Sequence, residues 1–450
     1  MNLLKFFSKS FAFTAHATLL LCLAANAQTQ VFTTPAKGWE SVGSATVPLS
    51  KQQVLMTSPG DGILVHASDR KGRPEDLVTA TAYGDIELAF NYLLAEGAEA
   101  TLYLHGVYPV TLADSRGVAT PTALTNGGAA GYPPRQQVGR APGLWQRMHI
   151  QFRAPRFDGN GQQIAPARLL RAELNGVIIH EDVQLQAPEK ANGNGKAAEP
   201  VRLAVSRGAV ALKDVTINKL AEAADSRDRN GADPILVSAQ VNTTLRSFMD
   251  VPDGPRVVHA ISVGHPAQVH YTYDLDKGNL FQVWRGGFLD ATPMWNNRGN
   301  GTSRVLGSPV HFGVPSLAVG KLVAADNPWP ADTAGTGYKP NGYVLDAHDL
   351  PTFRYVIYGQ QATDAIRPLT NGEGFTRTIT VNGNTDGLYL RLAVAPTIVD
   401  QGKGVFLIGD NRWYLRIEET GKAKPFVRDQ PTGKELLVPV TSITRYSIIF

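Results

Sequence analysis

The sequence predicts an all-β protein, a two-sheet jelly-roll sandwich followed by a second β-sandwich-like domain. Three observations carry that prediction. No long segment repeats its apolar residues at the 3.6-residue spacing of a helix. Short runs instead alternate apolar and polar residues, the period of a half-buried strand. These runs are punctuated by turn residues, with 44 Gly and 29 Pro in 450 residues. With 43% hydrophobic residues the chain can bury real cores, and its length suggests two domains.

The first element is a leader. Lys5 and Lys9 form a basic start, Leu19 to Leu23 an apolar run, and Ala25-Asn26-Ala27 a small-residue cleavage site, so residues 1–27 read as a signal peptide. The apolar run is shorter than the ~20 residues of a membrane anchor. Leu21 is too large for the position before a lipidated Cys22, so lipidation is not expected. The expected address is the periplasm or the cell exterior. The chain's single cysteine lies in this leader. The remainder therefore has no disulfide, haem-attachment motif or thiolate metal site, and no metal or other cofactor is expected. The formal charge of +4 falls to +2 once Lys5 and Lys9 leave, and the basic residues are scattered. That gives no electrostatic footprint for nucleic acid.

Residues 31–220 form the expected first domain. Gly62 to His66 and Leu77 to Thr81 read as strands. Ile86, Leu88, Phe90 and Tyr92 then alternate with Asp85, Glu87, Ala89 and Asn91. Leu102 to Ser115 reads as a strand with one buried face, whose polar residues His105, Thr111 and Asp114 are candidates to line a cleft. Trp145 to Phe152 is another strand. In Arg168 to Ile179, Asn175-Gly176 supplies the two positive-φ residues of a type I′ hairpin turn. Gly208 to Leu220 closes the domain. Asp85 and Glu87 share a strand face, which suits either a carboxylate pair or a solvated outer face. Asp114-Ser115 also fits a strand-ending turn. There is no Gly-x-Ser-x-Gly nucleophile elbow and no Glu-x-Asp-x-x-Glu triplet.

Several of these segments follow one another in a familiar order: Gly84 to Leu88, Tyr103 to Tyr108, Asp114-Ser115, Gly127-Gly128, Trp145-Gln146, Arg153 to Asp158 and Leu174 to Val177. Over residues 35–220 the chain resembles the 3-keto-disaccharide hydrolase family (3-keto-glycoside lyases and hydratases). The resemblance implies a concanavalin-like lectin/glucanase jelly roll acting on oxidised glycosides in bacterial envelopes. On a glycoside-processing reading, the catalytic candidates are the residues the strand pattern singles out, His105, Asp114 and Asp85, with Tyr103 and Tyr108 as carbohydrate contacts. The polar motifs depart from the family, whose members typically read Arg-Gly-Arg-Tyr-Glu-Val-Gln at His105 to Thr111. They read Leu-Gln-Asp-His-Gly at Leu203 to Gly208. Pro109 and Ala204 thus stand where the family carries groups that titrate or hydrogen-bond through a side chain.

Ala187 to Lys196 reads as a surface loop and residues 221–255 as linker plus docking strand. Residues 256–450 form the expected second β-rich domain. Tyr271 to Asp274 and Leu280 to Gly286 form a hairpin whose Asp274-x-Asp276-x-Gly278 turn falls short of a calcium loop. His259, His265 and His270 are spaced unlike a helical zinc motif. Trp284 to Gly299 combines aromatic, acidic, amide and arginine residues. Trp284, Asp290, Trp295 and Arg298 are therefore carbohydrate-binding candidates, the alternative being a tryptophan core corner with an Arg–Asp pair. This stretch resembles an accessory region of bacterial haem-binding, sugar-dehydrogenase-like proteins, which implies envelope sugar-oxidising or cytochrome-type partners. The chain itself carries no haem motif.

Two functions follow. One is an exported protein that recognises carbohydrate or an oxidised glycoside with degenerate or lost catalysis. The other is an active hydrolase or lyase on 3-keto-glycosides.

Overall fold

The computed structural model describes residues 31–450 except 34–35, 68–73, 119, 187–195, 221–232, 296–298, 325 and 432. The expected leader, the expected surface loop up to residue 195 and residues 221–232 of the expected linker lie outside the described residues. Strands dominate, and the described residues contain no α-helix.

The described residues of the first domain form thirteen strands: β1 (Glu40–Thr46), β2 (Met56–His66), β3 (Leu77–Tyr83), β4 (Ile86–Leu94), β5 (Glu99–Leu104), β6 (Tyr108–Ala113), β7 (Gln146–Arg153), β8 (Arg156–Phe157), β9 (Gln163–Ala165), β10 (Arg168–Leu174), β11 (Val177–Gln184), β12 (Glu199–Arg207) and β13 (Val210–Lys219). A seven-stranded sheet runs β1, β2, β13, β4, β7, β10, β11, and a four-stranded sheet runs β3, β12, β5, β6. The core between them is built from alternate residues. Ile86, Leu88, Phe90 and Tyr92 of β4 and Met148, Ile150 and Phe152 of β7 meet Leu102, Leu104, Val110 and Leu112 from the opposite sheet. The polar members of the same strands are thereby turned to the outer faces.

The stretch from Leu102 to Ser115 is a hairpin rather than one strand. Leu104 pairs with Tyr108, and the chain reverses through His105 and Gly106 at φ 47° and 68°. Gly106 adopts that conformation without a Cβ penalty. The Asn175-Gly176 turn forms as its sequence predicts, with both residues at positive φ and Leu174 paired to Val177.

The remaining chain builds two β units. Strands β14 (Leu236–Val237), β15 (Thr243–Met249), β16 (Val257–Gly264), β17 (Val269–Asp274), β18 (Asn279–Asp290) and β19 (Thr302–His311) form one sheet. It closes on itself because β19 pairs with both β15 and β18. Its interior holds Met249, Phe281, Trp284, Phe288 and Leu289. Residues from Val319 to Ile449 then form an eight-stranded and a four-stranded sheet. Tyr271, Tyr273 and Val283 on the outside of the closed sheet share one core with Phe353, Tyr355 and Phe375 of this last unit.

Candidate functional site

The outer face of the seven-stranded sheet carries a continuous polar surface. Strand β7 contributes Arg147, His149 and Gln151. Its neighbours supply Glu87 and Asn91 from β4, Arg171 and Glu173 from β10, and Lys213 from β13. Register brings them together. Glu173 lies directly opposite His149, while Glu87 opposes Gln151 and so reaches His149 on the diagonal. His149 Nε2 stands 2.8 Å from Glu87 Oε1, and its Nδ1 stands 3.7 Å from Glu173 Oε2. A carboxylate only accepts, so the Nε2 proton points at Glu87. The hydrogen bond from His149 holds the Glu87 carboxyl below its usual range, against the opposing effect of partial burial. Arg171 Nε donates to Glu173 at 2.5 Å.

Two cavities open on this face. One of about 250 Å³ is lined by Arg147, His149, Glu173 and Gly176. The other, of about 370 Å³, includes Arg147, Asn91, Trp145, Lys213 and, from the C-terminal unit, Asp410. The two lie side by side on this one face and adjoin at Arg147, and together they make a groove across it. Lys213 sits 4.4 Å above the Trp145 ring and pairs with Asp410 at 3.0 Å. Amides, charged donors and an aromatic edge side by side are what hydroxyl-rich ligands require.

The catalytic candidates read from the sequence are not brought together. His105 occupies the β5–β6 turn, with its ring against Tyr108 and Phe152 and its Nε2 buried without a partner. Desolvation pushes its pKa down, Glu199 opposing. Asp114 lies at the far end of β6, about 20 Å away at ~3.3 Å per residue. There it accepts from the Gly97 and Arg116 amides, the strand-ending turn that Asp-Ser chemistry favours. Asp85 precedes β4 and accepts from Ala154 N and both terminal nitrogens of Arg156. Burial raises its pKa, but Arg156 and the Ala154 amide outweigh that and hold the carboxyl low. Asp85 and Glu87 therefore do not act as a pair.

The aromatic candidates divide likewise. Tyr108 and Trp284 are core residues, 3% and 0% exposed, and neither offers a face to a sugar. Trp284 stacks on Phe288 and donates its indole N–H to Gly287 O at 2.9 Å. Tyr103 remains on the outer face of the four-stranded sheet, its ring covered by the Arg202 guanidinium at 3.9 Å. Asp290 caps a turn by accepting from Thr292 N. Trp295 is exposed at 59%, and Arg298 lies outside the described residues.

The departures from the family motifs also fall on the outer face of the four-stranded sheet. Arg202, Tyr103 and Pro109 form one cross-strand row, and Ala204, Thr101 and Thr111 the next. These rows contain no carboxylate, imidazole or amide side chain. What sequence reading missed is the trio Glu87, His149 and Glu173. Strand alternation puts each on an outer face, but cross-strand register is what joins them. Among the described residues no group of three or more His, Cys, Asp or Glu side chains is arranged to hold a metal ion.

The chain is an all-β protein, and its first domain ties it to carbohydrate chemistry. More narrowly, residues 31–218 match the family described as the 3-keto-alpha-glucoside-1,2-lyase-like domain. Residues after 218 lie outside the match, and the resemblance of the C-terminal region to a haem-protein accessory region finds no support. Among solved structures, a candidate glycosyl hydrolase from Parabacteroides distasonis ATCC 8503 is 16% identical, covering 41% of this chain and 79% of its own, with a TM-score of 0.31. The botulinum neurotoxin serotype D binding domain is 7% identical over 94% of this chain and 98% of its own, with a TM-score of 0.23. Likeness at these values decides neither fold nor function. No curated protein matches the chain.

Proposed function

We propose that this protein is exported to the periplasm or cell exterior and binds glycosides, 3-keto-glycosides among them, without the lyase or hydrolase chemistry of its family. The groove across β13, β4, β7 and β10 carries this reading, because Asn91, Arg147 and Lys213 converge there beside Trp145. The outer face of the four-stranded sheet supports the loss of family chemistry. Removing a proton beside a ketone and protonating a leaving oxygen needs a positioned base and acid. Pro109, Thr111 and Ala204 supply neither. Calorimetric titration of the purified protein with a 3-keto-glucoside and its parent glucoside tests the proposal. Binding is expected to weaken roughly tenfold in Arg147→Ala, the loss of one charge-assisted hydrogen bond. No heat with any glycoside, or unchanged affinity in that variant, would contradict it.

One observation favours the other reading, an active glycoside hydrolase or lyase. His149 is flanked by two carboxylates on the groove floor, an arrangement able to hold and pass a proton. Turnover lost in both His149→Ala and Glu87→Gln would establish it.

A further inference from the structure

Another cavity, of about 220 Å³, lies where the three β units meet. The first domain lines it with Arg116 and Arg140, the closed sheet with Arg285, and the C-terminal unit with Thr370, Asn371 and Glu373. Its three guanidiniums face one carboxylate. Arg116 is fully engaged, bonded to Glu373 at 2.8 Å, Glu96 at 2.7 Å and Gln52 at 2.9 Å, with Asp114 at 3.8 Å. The other two are not. Arg285 donates to Gly372 O at 2.7 Å and lies over the Phe450 ring at 5.6 Å. Arg140 donates to Trp145 O at 3.1 Å, and its Nε is buried with no partner. Among the described residues neither has a carboxylate within 4.0 Å. Burial pushes both down to about 10, with Arg412 adding to the effect at Arg140 and Glu373 opposing it at Arg285. Cations held out of water without counter-charge are expensive unless an anion joins them.

The cavity is smaller than the ~300–1,000 Å³ typical of drug-sized ligands, which limits the occupant to about one sugar ring. We propose that this cleft binds a single acidic sugar, a hexuronate, whose carboxylate is received by Arg285 and Arg140. Its ring hydroxyls then face Thr370 and Asn371. Planar guanidinium forks match a carboxylate in two parallel hydrogen bonds. The choice of a sugar over another organic acid rests on the carbohydrate reading of the first domain. The cleft is separate from the groove except at Arg140, which lines both.

The test is arginine footprinting of the intact protein with phenylglyoxal, mapped by mass spectrometry, alongside thermal unfolding. Glucuronate or galacturonate at ten times its Kd is expected to slow modification of Arg285 roughly tenfold and raise the melting temperature. Glucose, acetate and sulfate are expected to do neither. Arg285→Gln should abolish the thermal response to the uronate while leaving neutral-glycoside binding in the groove intact. The footprint needs no variant and stands if Arg285→Gln fails to fold. Equal protection by acetate or sulfate, or unchanged Arg285 labelling with every uronate, would overturn the proposal. Loss of neutral-glycoside binding in Arg147→Ala, with the uronate response unchanged, separates the two sites.

Discussion

His149 on β7 and Glu87 on β4 meet at 2.8 Å although their positions are diagonal across the strand pair. The contact is where the outer face of the sheet stops being an unspecific solvated surface. It fixes the imidazole proton on Nε2 and leaves Nδ1 facing Glu173. In His149→Ala, the Glu87 carboxyl is expected to rise toward its ordinary value of 4.5, because the hydrogen bond that lowers it most is gone. Carboxyl carbon shifts followed through an NMR pH titration would show it. A Glu87 titration unchanged by the substitution would mean that the contact does not form in solution.

The two tryptophans of the Trp284–Gly299 segment should separate cleanly. Trp284 fills the interior of the closed sheet beside Phe281 and Phe288, so Trp284→Ala is expected to cost about 3–5 kcal/mol. Exposed Trp295 has no such role, and Trp295→Ala should stay within about 0.5 kcal/mol of the parent. Denaturant unfolding measures both.

Asp274 is 3% exposed, and desolvation raises its carboxyl to about 6 from an ordinary 3.8, with the Asp276 amide opposing. Between those two values the folded state binds more protons than the unfolded one. Stability therefore falls as pH rises through that window, and the penalty persists at neutral pH. Asp274→Asn keeps an oxygen for the Asp276 amide, which donates at 2.8 Å, and removes the charge. It is expected to stabilise the protein at pH 7.5 by about 3 kcal/mol, at ~1.4 kcal/mol per unit, and to be nearly neutral at pH 4. Melting temperatures across that range test it.

Asp364 and Arg377 form a fully buried ion pair at 2.6 Å, with Tyr446 accepting a further bond from the guanidinium. Asp364→Ala strands a buried cation and should cost about 3–5 kcal/mol. Replacing both partners by Leu and Met should cost far less, because neither charge then has to be desolvated. Equal losses in the single and double variants would contradict this.

Much of the fold was legible because strand alternation and turn chemistry are local. The buried set of β4 and the Asn175-Gly176 turn follow directly from neighbouring residues. The β5–β6 reversal was harder to read, since a His-Gly turn preserves alternation on both sides and looks like one strand. The site was less legible than the fold. Glu87, His149 and Glu173 are 62 and 24 residues apart in the chain and meet only through strand register. Trp284 shows the converse. Its sugar-binding appearance came from composition, and only the closure of β18 against β19 puts it inside a core.

The most direct test of the account is a single NMR experiment on a 3-keto-glucoside mixed with the purified protein. Saturation transfer to the ligand that is lost in Arg147→Ala, with the glycosidic bond intact after prolonged incubation, is the predicted result. Release of the aglycone by the parent protein, abolished in His149→Ala, would contradict it.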